Sequence, residues 1–188
     1  MPSISAPFGM RPSFHPSGLD RAVALPGGIP SGYSTNLLKG QPVALNTSGV
    51  IIAATAGSAF QGAFAGVEFT DTTGRRRVSN YWPASTTGTD IVAYYYSDPN
   101  IVYDIQADGS LAQTSIGDQA NFTNISAGST TTGLSACTIS TSLVGSSAVG
   151  DLRIIGLYTG VDNAWGDAYT IVQVQISRSQ YVATINAI

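Results

Sequence analysis

His15 is the only histidine in the chain, so it is the one side chain suited to act as a general base near neutral pH. A Ser-His-Asp arrangement could combine it with Asp20 and with any of many serines. However, the chain has no Gly-x-Ser-x-Gly motif, the turn that presents a serine nucleophile in many hydrolases. His15 also lies in a proline-rich segment, and one histidine cannot form a histidine-based metal cluster. We therefore expect no nucleophilic catalysis.

The carboxylates leave two further possibilities. Asp104 and Asp167 would form a glycosidase pair if folding brought them to the required separation, which sequence spacing does not decide. Asp162, Asn163 and Asp167 offer the oxygen ligands that calcium prefers, but EF-hand spacing is absent. Aspartates in turns mostly cap their own backbone. The sequence therefore predicts a protein that is not an enzyme and that has no metal and no cofactor.

A basic and aromatic cluster is the third candidate. Arg75, Arg76 and Arg77 form the chain's only basic run, and Tyr81 and Trp82 follow closely. The cluster is either a solvated strand face or a protein interface, since Arg, Tyr and Trp dominate interface hot spots.

Trp165 and Cys137 raise related questions outside the basic cluster. Trp165 lies in a predicted loop between Asn163 and Gly166. It either fills the core (a core plug) or contacts a partner. Cys137, the single cysteine, fits a small buried hydrophobe.

The composition favours an assembly component. Only 10% of the residues are charged, against a usual share of about 25%, although 43% are hydrophobic. A surface with so few charges is poorly protected against association. The net charge of −3 and the single lysine argue against a nucleic-acid partner. No apolar stretch approaches the roughly 20 residues needed to cross a bilayer, so we expect no membrane partner.

Residues 1–34 read as an extended N-terminal arm, followed by a single β-rich domain over 35–188. Frequent Pro and Gly interrupt regular structure in the arm, yet apolar anchors recur along it. The arm lies either over its own domain or over a neighbouring subunit, and we favour the second. Its candidate contact residues are Phe8, Met10, Arg11 and Phe14.

Short β-like runs separated by turn signals fill the rest of the chain. The candidate strands are 41–45, 50–55, 62–69, 75–82, 91–96, 101–106, 134–143, 152–158 and 168–176. The first two read as a hairpin joined by residues 46–49. Since no long 3.6-residue stripe occurs, the pattern predicts an all-β barrel or β-tulip-like sandwich with at most short helices.

Five short segments carry a resemblance to a known family. The runs LKGQPVAL at 38–45, GVI at 49–51 and FAGV at 64–67 resemble the β-tulip portion of the decoration (cement) proteins of tailed-phage heads. The segments 98–107 and 162–167 are similar to structural proteins of the same phages. This chain is longer than the small lambda-type members and has a heavier N-terminal arm.

The resemblance implies a structural virion protein. It would bind the outer surface of a phage capsid and cement neighbouring major capsid proteins, without catalysis or a cofactor. It would be made in the host cytoplasm and act on the capsid exterior as a dimer or trimer. The rival hypothesis is a carbohydrate-binding β-sandwich, with Tyr81, Trp82 and the tyrosines at 94–96 as stacking platforms. Another virion part, such as a tail or spike subunit, is a third possibility.

Overall fold

The computed structural model of the chain describes residues 4–18 and 21–183. The protein is all-β, and the one short helical element among the described residues is a 3-10 turn at Gln113–Ser115. In chain order the strands are β1 (Arg11–Phe14), β2 (Val23–Pro26), β3 (Pro42–Leu45), β4 (Ile51–Ala53), β5 (Gly62–Thr70), β6 (Arg76–Ser79), β7 (Thr89–Tyr96), β8 (Val102–Gln106), β9 (Gln119–Thr123), β10 (Gly128–Ser129), β11 (Leu134–Ser135), β12 (Thr138–Leu143), β13 (Leu152–Leu157) and β14 (Ile171–Ile176).

Two six-stranded antiparallel sheets dominate the architecture. The first has the order β1-β8-β14-β13-β9-β12. The second has the order β2-β7-β5-β3-β4, and β6 pairs with the far half of β5. An isolated bridge between Ala107 and Ile139 brings β12 back toward the end of β8. In the described part of the chain the ladders form no closed barrel, so a sandwich is the alternative that fits.

Two hydrophobic clusters hold the sheets. The larger lies under the first sheet and includes Phe60, whose ring meets that of Phe122 edge-to-face at 5.2 Å. The smaller lies under the second sheet, where Ile29 and Leu37 from irregular segments cover Phe64. Strands β5, β7, β13 and β14 alternate buried and less buried residues over much of their length, as expected for strands with one face on a core.

Most of the predicted strands are confirmed with small changes of boundary. The hairpin of β3 and β4 forms as expected, and the Asn46 side chain accepts hydrogen bonds from the N–H groups of Ser48 and Val50. The run at 134–143 divides into β11 and β12. β6 is shorter than expected because the chain leaves the sheet after Ser79.

The prediction of an irregular arm is corrected. β1 and β2 lie within residues 1–34, and they pair with β8 and β7 of the same chain. Both are edge strands, where the missing N–H of Pro12 or Pro26 need not break a ladder. These strands of the arm thus lie on the chain's own domain, and contact of the arm with a neighbouring subunit stays a prediction. Leu19 and Asp20 lie outside the described residues.

Two buried tyrosines make stability sensitive to alkali. Burial and, less strongly, Tyr181 raise the pKa of Tyr95 from 10.0 to about 12. Burial is also the main cause that raises the pKa of Tyr103, with smaller effects of Tyr96 and Asp98. Folding therefore favours the neutral phenols. The contribution of Tyr95 to stability is complete below pH 10 and is lost as the pH rises to about 12. Tyr103 acts in the same direction, because its neutral form is also favoured by folding.

We expect ultraviolet titration of the nine tyrosines to show late ionisation of Tyr95, and ionisation of Tyr103 only when circular dichroism reports unfolding. Titration of all nine in one step near pH 10, with the native spectrum retained, would contradict this account.

Candidate protein-contact surface

β6 is an exposed edge strand. It pairs with β5 on one side, and no strand among the described residues pairs with its other side. Arg75, Arg76 and Arg77 are exposed, and Val78 is 81% exposed. Arg76 and Val78 lie on the outer face of the sheet, opposite Thr70 and Glu68 of β5. The basic run therefore stands beside an exposed apolar side chain.

Two of the three arginines are neutralised within the chain. Arg76 Nη2 lies 2.9 Å from Glu68 Oε2, and Arg77 Nε lies 2.8 Å from Asp71 Oδ2. Arg76 also donates to the carbonyl of Asp90 at 2.7 Å. Arg75 has no carboxylate partner among the described residues. The net attraction of the run for an acidic partner is therefore smaller than three positive charges suggest.

The same contacts keep the carboxylates ionised. Hydrogen bonds from Tyr94 and Arg76 lower the pKa of Glu68. Hydrogen bonds from Thr73 and Arg77 lower the pKa of Asp71. The ion pairs on both faces of β6 therefore persist at neutral pH and into the acid range.

Trp82 is corrected as a candidate contact residue, because it is fully buried. After β6 the Ser79 hydroxyl donates to the carbonyl of Tyr81 and turns the chain inward. Trp82 then exchanges backbone hydrogen bonds of 2.8 and 3.0 Å with Leu37. Its ring packs edge-to-face on Phe69 with centroids 5.1 Å apart. Trp82 is thus part of the second core.

Tyr81 remains at the surface and lines an open groove of about 520 Å³. Phe69, Arg77, Val78 and residues of the loop at 83–87 also line it. We call this the arginine groove. Of the cluster that the sequence singled out, Arg77 and Tyr81 line this groove, whereas Arg75 and Arg76 lie outside it.

Three of the four candidate residues of the arm line a second groove, of about 330 Å³, here called the arm groove. Phe8, Arg11 and Lys39 line it, together with Leu134, which is 44% exposed. Met10 also borders it but is fully buried in the first core, which corrects its assignment as a contact residue. Phe14 is 45% exposed at the end of β1.

Arg11 fastens β1 to its own sheet. Its guanidinium lies 3.1 Å from the buried carboxylate of Asp104, directly across the ladder. The same group lies over the rings of Phe8 and Tyr158, at 4.6 and 5.4 Å from their centroids. Arg11 is therefore engaged in the chain's own packing, although its side chain is half exposed.

Trp165 is partly buried and packs against the first core. Of the two alternatives for this side chain, the structure supports the core plug. Its remaining exposed edge lies outside both grooves.

The single histidine forms a triad-like chain of contacts that the sequence did not reveal. His15 Nε2 lies 3.1 Å from Asp98 Oδ2, and Ser17 Oγ lies 2.6 Å from His15 Nδ1. The N–H of Ser17 also donates to Nδ1, and the N–H of Gly18 donates to the carbonyl of His15. The backbone donors that could stabilise an oxyanion beside Ser17 are therefore used to hold the turn. The cluster ties the end of β1 to the β7–β8 turn.

The proposed calcium ligands have structural partners. The Asn163 side chain donates to the carbonyls of Tyr158 and Ile171 and accepts from the N–H of Ile171. Asp167 accepts from the N–H of Ala164. Within the described residues no group of three His, Cys, Asp or Glu side chains is placed to hold a metal ion. The segment is a hydrogen-bonded turn.

Sequence reasoning missed Val78 and Leu134, the two exposed apolar residues that border the grooves. Val78 follows three arginines, and its alternation with Arg76 was the available signal for an outward side chain. Leu134 lies at the start of the predicted strand 134–143. It is exposed because β10 and β11 form a separate two-stranded ribbon.

Among the described residues, no helix has the length and apolar character needed to cross a bilayer. No protein-family model matches the chain, and no curated protein or solved structure matches it.

Proposed function

We propose that this protein is a structural virion subunit that binds the outer surface of a phage capsid and cements neighbouring major capsid proteins. The observation that carries the proposal is the arginine groove, which is lined by Arg77, Val78 and Tyr81. Arginine and tyrosine are enriched in protein interfaces. The resemblance of residues 38–67 to decoration proteins supplies the kind of partner.

The size of the surface allows several contacts at once. The chain exposes 8588 Å², and a standard contact covers roughly 800 Å² per partner. The arginine groove and the arm groove are lined by different residues. A cement protein must touch at least two subunits, and repetition over a shell multiplies weak contacts into firm attachment. Self-association as a dimer or trimer on the shell belongs to the same proposal.

The rival carbohydrate-binding function loses part of its basis. Trp82 and Tyr95 are buried in the second core, and the Tyr94 hydroxyl is bonded to Glu68. These side chains were candidate stacking platforms. Of the remaining candidates, Tyr81 lines the arginine groove and Tyr96 lines the arm groove, so the two rings do not share one site. A flat aromatic platform for a sugar ring is therefore less well supported than a protein contact.

Cosedimentation with undecorated heads of the source phage, run beside a glycan array, tests the proposal. We expect saturable binding to shells and no glycan signal. A glycan signal without shell binding would favour the rival function, and absence of both would overturn the capsid proposal.

Arg75→Glu should weaken shell binding about tenfold, equivalent to about 1.4 kcal/mol. Arg75 borders β6 and has no carboxylate partner among the described residues, so its reversal disturbs the fold little. Arg21→Glu changes the same charge at another exposed position and serves as the matched control. If the two variants bind shells equally well, Arg75 is not part of the contact.

A further inference from the structure

The free edge of β6 has a defined set of unpaired backbone groups. The N–H of Asp71 donates to the carbonyl of Arg75 at 2.9 Å, so Arg75 forms a hydrogen-bonded pair with the β5 side. Hydrogen-bonded and non-hydrogen-bonded pairs alternate along an antiparallel ladder. The backbone groups of Arg77 therefore face β5, and those of Arg76 and Val78 face the free edge. No backbone partner for these outward groups occurs among the described residues.

We propose that this edge pairs with the β6 edge of a second copy of the chain, about a two-fold axis at Val78. In this register Val78 faces Val78 of the second copy and exchanges two backbone hydrogen bonds with it. Arg77 lies opposite Ser79, and Arg76 lies opposite Asn80. The two sheets then join into one continuous antiparallel sheet across the axis.

The side chains make this register self-complementary. The contact covers Val78, which is 81% exposed in the single chain, and it places no arginine directly opposite another. A two-fold axis at Arg77 or at Arg76 would set two guanidinium groups against each other, and like charges directly opposite destabilise a ladder. Among axes at residues 76, 77 and 78, the axis at Val78 is the one that keeps the guanidinium groups apart. An axis at Ser79 would also do so, but it would place Val78 opposite Asn80 and not against its own copy.

Charged residues on an edge strand usually discourage such pairing. Here, however, two of the charged side chains form ion pairs with carboxylates of their own chain. Glu68 holds Arg76 on the outer face, and Asp71 holds Arg77 on the inner face. Both ion pairs leave the backbone edge between them open. Arg75 lies before the strand, outside the paired residues. Repulsion across the axis is therefore weaker than the sequence RRRV suggests.

This inference deepens the self-association named in the proposed function, but its test uses the purified chain without shells, so the two can fail separately. In a hydrogen-bonded antiparallel pair the two Cα atoms are about 5.5 Å apart, which lies within the range that a disulfide spans. We expect Val78→Cys to form a disulfide-linked dimer rapidly under mild oxidation. Cys137 is fully buried and its thiol pKa is raised by burial, so the wild-type chain should stay unlinked.

Two control variants locate the contact. Val161→Cys places a thiol at a position that is 93% exposed and away from β6. Disulfide-linked dimers of this variant should form only at the slow rate of random collisions between chains. Arg77→Cys should also link slowly, because residue 77 faces residue 79 in the proposed register. Val78→Lys should abolish the rise of sedimentation mass with protein concentration. Equal linking of Val78→Cys and Val161→Cys, faster linking of Arg77→Cys, or a dimer that survives Val78→Lys would overturn the proposal.

Discussion

Replacing Asp151 with alanine will lower the free energy of unfolding by about 3–5 kcal/mol, the usual cost of removing one partner of a buried ion pair. The carboxylate is fully buried. It accepts hydrogen bonds from the N–H groups of Gly57 and Phe122, all at 3.0 Å. Arg178 lies 4.0 Å away and donates to the carbonyls of Gly57 and Val149. Alanine leaves these donors without their acceptor.

Asp151 is costly to bury as well as costly to remove. Burial raises the pKa of its carboxyl group, while the two N–H groups and Arg178 lower it less strongly. The side chain therefore links the two sheets. It binds the loop at residue 57, which leads into the second sheet, and it binds β9 of the first sheet. That position explains why its loss should destabilise the whole sandwich.

Chemical denaturation of Asp151→Ala, Asp151→Asn and Asp118→Ala will test this role. The asparagine keeps the volume and one acceptor, so its loss should be intermediate. Asp118 is partly exposed, and its replacement should cost little. A midpoint for Asp151→Ala close to that of the wild type would contradict the assignment.

Trp82→Ala should destabilise the protein by about 3–5 kcal/mol, as expected when a fully buried large aromatic side chain is deleted from a core. The substitution removes the ring that packs on Phe69 and opens a cavity beneath the second sheet. Trp82→Phe should be much milder, because it keeps an aromatic ring and removes an indole N–H that has no partner among the described residues.

Thermal and chemical unfolding of both variants measure this, with Trp165→Ala as the matched control at a partly buried tryptophan. If Trp82→Ala leaves stability unchanged and instead weakens binding to shells or glycans, Trp82 is a contact residue and the core assignment is wrong.

The strands that sequence reasoning found are those with a strong local signal. β7 and β8 are apolar runs rich in tyrosine and branched side chains, which made them recognisable as strands. Their partners could not be read from the turn between them, because β7 lies in the second sheet and β8 in the first. β9 was missed because its sequence, QANFT, is mostly polar. It is a strand because β13 and β12 pair with it on both sides. Gln119 is buried there and accepts a hydrogen bond from the N–H of Gly150, a long-range contact with no local signal.

The surface was harder to predict than the fold, since exposure depends on where each strand ends. Trp82 and Tyr81 are adjacent in sequence, but a turn made by Ser79 sends one into the core and leaves the other beside the groove. The ion pairs of Arg76 and Arg77 likewise depend on the register of β6 against β5. No spacing rule in the sequence specifies that register.

The structure also changes the physical basis expected for docking. A run of three arginines suggested attraction to an acidic face, whereas two of them are already paired with carboxylates. The two grooves then become the main sources of free energy for docking on the shell. Such contacts are shaped more by complementarity than by charge, so shell binding should depend weakly on salt.

Electron cryomicroscopy of undecorated phage heads incubated with the purified protein tests the central claim most directly. The account predicts added density on the outer surface, at symmetry-related positions between major capsid subunits, that fits the two-sheet sandwich. Shells that remain bare at saturating protein, with the chain shown to be folded, would contradict the proposal that this protein is a capsid-binding subunit.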